Sequence, residues 1–236
     1  MPARRFALIP AAGMGRAFGG DLPKQYARLS GTTLLERTAS RLLEALTLDA
    51  LFVALSPSDI WYRTLVDDRC GDALYCRGSS RAETVVNALE ALADRCRDDD
   101  WILVHDVARP CVPVEALRRL VDELGDHPVG GLLAIPVADT LKEAEPSGAP
   151  RVGRTRSRAG LWHAQAPQMF RYGVLRAALA RDGASATDEA QAVERLAQTG
   201  GCPMPSIING SALNIRIAEE TDLDIAAAIL AAQERR

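Results

Sequence analysis

Between Pro10 and Tyr26 the chain reads PAAGMGRAFGGDLPKQY, and no other stretch combines residue types so suited to chemistry. Gly13, Gly15, Gly19 and Gly20 let the backbone approach an anion closely and aim amide hydrogens at it. Arg16 and Lys24 add positive charge to the same turn, and a triphosphate is the guest that such a turn suits. Pro23 fixes the bend before Lys24, so the ammonium is offered as a preorganised point charge. The same glycines would also serve a plain strand-to-helix turn. Two common phosphate motifs are excluded. GxGxxG fails because Phe18 stands where the third glycine belongs, and GxxxxGK[ST] fails because Asp21 and Leu22 follow Gly20.

Downstream, Asp106 follows an apolar run, with Arg109 three residues on. Either the two form an internal ion pair that fixes a loop, or Asp106 faces a divalent cation or substrate hydroxyls and Arg109 faces an anionic substrate. His105 and His163 have no paired ligand spacing and read as structural or hydrogen-bonding residues. Cys70, Cys76, Cys96, Cys111 and Cys202 have no CxxC spacing and an odd count, so they read as inert thiols in a reducing, cytoplasmic setting.

These groups need elements to hold them. Phe6 to Pro10, Leu51 to Leu55 and Trp101 to Val104 are short apolar runs separated by helical patterns, which predicts a mostly parallel sheet in an α/β fold. Leu35, Thr38, Leu42 and Ala45 share one helical face, as do Val85, Ala88, Leu89 and Leu92. Thr33 with Glu36, Thr221 with Asp224, and Thr187 with Asp188 and Glu189 read as helix starts. The glycine turn then lies at the end of the first strand, where α/β sheets put ligands. The segment from Pro136 to Trp162 breaks the pattern with prolines, glycines and arginines and reads as a hairpin-like excursion.

The whole is 236 residues, 47% hydrophobic and 25% charged, enough for one α/β domain of ordinary globular composition with the excursion inside it. A net charge of -3 gives no global field for nucleic acid or an anionic membrane. No apolar run approaches the roughly 18 residues of a membrane span.

Seven blocks in order, PAAGMG with PKQY, RAETV from Arg81, VHDVARP from Val104, PVADTLK from Pro136, GLWHAQAPQMF from Gly160, TDEA from Thr187 and NIRI from Asn214, span nearly the whole chain. In this set the chain resembles the methylerythritol phosphate cytidylyltransferases. The resemblance implies a Rossmann-like nucleotidyltransferase fold whose protruding β-arm makes a homodimer. It also implies transfer of CMP from CTP to 2-C-methyl-D-erythritol 4-phosphate, with release of pyrophosphate, in isoprenoid precursor synthesis. A phosphate monoester has a second pKa of about 6, so the nucleophile is already ionised near neutral pH and needs positioning and positive charge rather than a base.

Carried over residue by residue, the resemblance gives Lys24 and a basic residue of the turn, here Arg16, the charge on the α-phosphate. Pro10, Ala11, Ala12, Gly13, Gly15, Gly78, Ser79, Arg81 and Thr84 would hold the nucleotide. Asp106, Arg109, Thr140, Arg158 and Arg216 would hold the phosphorylated polyol, with Arg158 reaching in from a neighbouring subunit. Mg²⁺ is the implied ion, with Asp106 its candidate protein ligand. Three departures stand out: Ala17 replaces the family's arginine, which shifts to Arg16; Ala166 replaces a hydroxyl; and Arg216 replaces a lysine. A ribitol 5-phosphate cytidylyltransferase and a nucleotide-binding protein of weak turnover are the alternatives.

Overall fold

Along β1 (Arg5–Pro10) the side chains alternate: Ala7 and Ile9 enter one apolar cluster, Phe6 and Leu8 another, and all four are buried. A strand buried on both faces lies inside a sheet covered by helices on each side. The computed structural model describes residues 2–13, 22–145, 150–182 and 185–235; Arg16, Gly15 and Ala17 lie outside them.

After β1, a 3-10 turn at Lys24–Tyr26 leads through the short strands β2 (Arg28–Leu29) and β3 (Thr32–Thr33) into α1 (Leu34–Ala45). Thr33 and Glu36 form the capping box expected of them. Then come β4 (Ala50–Leu55), the single turn α2 (Tyr62–Leu65), β5 (Asp72–Tyr75), α3 (Arg81–Ala91), β6 (Trp101–Val104) and α4 (Val114–Leu124). The second half runs β7 (Gly130–Pro136), β8 (Leu141–Ala144), β9 (Val152–Arg156), β10 (Trp162–Arg171), α5 (Tyr172–Asp182), α6 (Glu189–Gln198), β11 (Ser206–Asn209) and α7 (Thr221–Glu234).

Among the described residues seven strands make one sheet in the order β11-β7-β10-β6-β1-β4-β5. All neighbours are parallel except β10, which runs antiparallel to both β6 and β7. Strand order reverses at β1, with β4 on one side and β6 on the other, so a crevice opens beyond the carboxyl ends of β1 and β6. One face is covered by α1 and α4 through Leu35, Leu42, Leu117 and Leu120, the other by α3, α5 and α6 through Val85, Leu89, Leu175 and Val193. A third cluster, Leu34, Ile217 and Leu230 among its members, docks α7 beside β2.

The excursion after β7 contains β8 and β9, paired antiparallel as a hairpin, with every residue of β9 exposed. Helices open at all three expected starts, but the cap expected of Thr221 is corrected. Thr221 does not cap α7: Glu220 precedes the helix with no side-chain cap bond, and Asp222 instead accepts the Ala218 and Glu219 amides from inside the first turn. At α6 the cap is Asp188, accepting the Gln191 amide, and Glu189 stands in the first turn as expected, its side chain buried.

Candidate active site

The crevice is a cleft of about 380 Å³. Its first wall is the extended chain Pro10, Ala11, Ala12 and Gly13, continuing β1, with the Ala11 amide donating to the Ala54 carbonyl at 2.8 Å. Gln25 is buried beneath this wall and its Nε2 donates to the Ala11 carbonyl at 2.8 Å, fixing the ledge from below. No role follows for Gln25 from the sequence, although its place between Lys24 and Tyr26 was the available signal.

The opposite wall is the turn entering α3. Ser80 caps that helix, its hydroxyl accepting the Glu83 amide at 3.1 Å. The Gly78 amide donates to the Thr84 hydroxyl at 3.0 Å, and that hydroxyl donates to the Ser80 carbonyl at 2.9 Å. Ser79 donates its amide to Glu83 at 2.6 Å, and its hydroxyl donates to the same carboxylate. A methyl group at Gly78 would lie 2.6 Å from the Glu83 Cβ and 2.7 Å from its backbone carbon, so only glycine closes this turn without displacing the helix start. Arg77, which sequence reasoning passed over, lines the same wall.

Lys24 and Arg216 come from opposite ends of the chain and line one cleft. The Lys24 ammonium donates to the Ile217 and Ala218 carbonyls, which ties the turn after β1 to the loop before α7. Burial, then the positive charge of Arg216, lowers the Lys24 pKa from its ordinary value, while Asp222 opposes them. Two cations brought this close, one already destabilised in its charged form, make a site that gains from an anion.

The floor is built from the carboxyl end of β6. His105 is fully buried, its Nε2 3.1 Å from the Arg109 carbonyl, and burial lowers its pKa to about 4, which leaves it neutral and structural as expected. Asp106 next to it lines the cleft. Its Oδ1 accepts from Arg81 Nε at 3.1 Å and Nη2 at 2.8 Å, and its Oδ2 lies 3.6 Å from Arg109 Nε. Burial pushes the Asp106 carboxyl up, but Arg81, His105 and Arg109 outweigh it and hold the pKa below the usual carboxylate value. The ion pair between Asp106 and Arg109 is therefore present, and Asp106 reaches the cleft as well. Arg109 itself is turned toward the loop before α7, donating from Nη1 to the Asn214 carbonyl at 2.6 Å.

Among the described lining residues a metal finds one carboxylate, Asp106. Among the described residues no group of three or more His, Cys, Asp or Glu side chains is gathered to hold an ion. A single hard oxygen ligand fits Mg²⁺ that arrives on phosphates and keeps most of its water.

Thr140 and Arg158 are not brought to the cleft of this chain. Both are exposed, one just before β8 and the other between β9 and β10. Ala166 is buried under the floor, where its carbonyl accepts from Asn214 Nδ2 at 2.8 Å.

This geometry can be set beside known proteins. A family model described as 2-C-methyl-D-erythritol 4-phosphate cytidylyltransferase matches residues 6–232. A protein of that name from Laribacter hongkongensis is 48% identical over 231 residues, 97% of this chain and 96% of that protein. Another from Thiobacillus denitrificans is 44% identical over 95% of this chain and 97% of its own length. Among solved structures, a 4-diphosphocytidyl-2C-methyl-D-erythritol synthase superposes with a TM-score of 0.81 at 36% identity, covering 98% of this chain and 100% of that one. The Francisella tularensis 2-C-methyl-D-erythritol 4-phosphate cytidylyltransferase gives 0.76 at 31% identity over 96% of this chain and all of its own.

Proposed function

The chain belongs to the 2-C-methyl-D-erythritol 4-phosphate cytidylyltransferase family, and we propose that it transfers CMP from CTP to 2-C-methyl-D-erythritol 4-phosphate through the cleft between β1 and β6. The observation that carries this reading is the convergence of Lys24, Arg216 and Asp106 with the extended wall Pro10 to Gly13 in one cleft. An oxygen of the acceptor phosphate attacks the α-phosphorus of CTP, a new P–O bond forms, and the bond to the bridging oxygen breaks to release pyrophosphate. No general base is needed, because the attacking monoester is already ionised near neutral pH. Catalysis then consists of positioning two polyanions and meeting the charge that builds between them.

Cytosine and ribose lie between Ala11, Ala12 and the turn of Gly78, Ser79 and Thr84, where the narrow walls suit a pyrimidine. Lys24 meets the α-phosphate, aided from the turn by Arg16 and the amides of Gly13 and Gly15. Arg216 orients the acceptor phosphate, and Asp106 with Arg109 faces the acceptor hydroxyls. Mg²⁺ bound to the triphosphate, with Asp106 as its protein ligand, would neutralise the leaving pyrophosphate. The exposed hairpin of β8 and β9 docks on a second copy of the chain, so that Thr140 and Arg158 complete the partner's acceptor site; the working form is a cytoplasmic homodimer. No helix among the described residues is long and apolar enough to cross a membrane.

Pyrophosphate release from CTP is the test. The reading expects release with Mg²⁺ and 2-C-methyl-D-erythritol 4-phosphate, and far less with ribitol 5-phosphate. Equal or better turnover of ribitol 5-phosphate would overturn the acceptor assignment, and CTP binding without release would overturn the catalytic one.

A further inference from the structure

Glu189 is a charged side chain with no evident reason to be where it is. It opens α6 and is 1% exposed, although a carboxylate in a first helical turn is stabilised at the surface as well. Its place is fixed from both sides: Asp188 caps the helix and accepts from Gln168 Nε2 at 3.0 Å, while Gln168 Oε1 accepts the Ala190 amide at 2.7 Å. Burying a carboxylate costs several kcal/mol unless it is paired. Its ion-pair partner is Arg81, whose Nη1 donates to Oε1 at 2.7 Å, and Oε2 has no hydrogen-bond partner among the described residues. Burial raises the Glu189 pKa while Arg81 pulls it down.

Arg81 has its other edge on Asp106, with Nε and Nη2 both on Oδ1. A guanidinium is planar, so fixing Nη1 on one carboxylate and the Nε–Nη2 edge on another leaves it no free rotation. The four groups alternate in sign: Glu189, Arg81, Asp106, Arg109. Without the first, Arg81 would lose the bond that fixes its Nη1 and would be free to swing off Asp106.

We infer that Glu189 is a positioning residue, a buried counter-charge behind the cleft that holds Arg81 against Asp106 and so sets how the acceptor is gripped. The inference rests on the acceptor role proposed above for Asp106. Glu189 touches neither substrate; it acts through Arg81. A purely structural carboxylate would lower the amount of folded enzyme and leave both Michaelis constants alone, whereas this one separates them.

The test is Glu189→Gln, which keeps size and one acceptor oxygen but removes the charge. With CTP and 2-C-methyl-D-erythritol 4-phosphate, KM for the acceptor should rise about tenfold while KM for CTP stays within about twofold, a coupling of ordinary size for contacting residues. In an Asp106→Asn background the same change should add less than about twofold. Equal movement of both KM values, or full additivity with Asp106→Asn, overturns the inference. If the amide variant does not fold, Glu189→Asp keeps the charge with a shorter reach, and its KM values decide by the same criterion. An arm independent of turnover is the ¹⁵N resonance of Arg81 Nε in ligand-free protein: it should be protected from exchange in the parent and lose that protection in Glu189→Gln, and unchanged protection refutes the clamp. A parent that binds CTP but makes no product would refute the functional reading instead, with the Arg81 resonance still deciding whether Glu189 holds the guanidinium.

Discussion

Replacing Lys24 with alanine separates a charge that serves the reaction from one that serves the fold. In the free protein the Lys24 ammonium donates to the Ile217 and Ala218 carbonyls, at a half-buried position. Hydrogen bonds from a charged donor contribute about 1.5–3 kcal/mol net each when buried, and partial exposure lets water replace much of the loss. For a chain of 236 residues, 1 kcal/mol shifts Tm by about 2–4 °C, so Lys24→Ala should melt only a few degrees below the parent. On the reaction the effect is far larger. Burial and Arg216 already disfavour the charged ammonium in the empty cleft, and a triphosphate relieves both, so the interaction is strongest where phosphate charge is greatest. Removing one preorganised donor from such a site costs about 10²–10³ in kcat. Pyrophosphate release under saturating CTP and acceptor, with thermal melts on the same preparations, measures both quantities. A rate within about threefold of the parent, or a loss of rate matched by loss of fold, would refute the argument.

Gly78→Ala should raise KM for CTP about tenfold, because its methyl group must push the Glu83 backbone and with it the wall against the nucleotide; overpacking of this kind costs about 1–3 kcal/mol, read by denaturant unfolding. Arg158→Ala should leave CTP binding unchanged and weaken use of the acceptor, and mixing it with Lys24→Ala subunits should restore activity if the hairpin acts across two copies. His105 makes stability depend on pH. Its folded pKa of about 4 lies below the unfolded value of about 6.5, so only the unfolded chain takes up a proton between them; stability is full above about 6.5 and falls by about 3 kcal/mol as pH drops to 4. Denaturant titrations across that range check the slope, and an imidazole that titrates near 6.5 in the folded protein contradicts it.

What could be read in the sequence was what short-range chemistry decides. The runs at Phe6, Leu51 and Trp101 became β1, β4 and β6 because apolar residues of that length have few other fates beside helical patterns. The capping box of Thr33 and Glu36 formed because both of its bonds are made within four residues. The glycine turn's exit, Lys24 and Asp106 were identifiable as chemistry and Arg216 through the family resemblance alone, and they do share a cleft. That Arg81 would be spent between Asp106 and a glutamate 108 positions away was not, since nothing local specifies such a pair. One signal was available: Glu189 stands four residues before the buried Val193, on the helix face turned to the core, where a charge needs a partner. The reversed direction of β10 was hidden for a similar reason, because it depends on how the hairpin of β8 and β9 returns the chain. Thr221 misled because threonine followed by a carboxylate three residues on is also simply a good first turn, and the actual support comes from Asp222 reaching back.

On the proposed reading, one cleft between the ends of β1 and β6 holds the nucleotide with its α-phosphate between Lys24 and the acceptor site. A crystal structure with CTP and Mg²⁺ tests it most directly. It should show cytosine against Gly78 to Thr84 and the α-phosphate within hydrogen-bonding distance of Lys24, which will have left the Ile217 and Ala218 carbonyls. Nucleotide bound elsewhere, or bound with Lys24 still on those carbonyls and away from the phosphates, would contradict it.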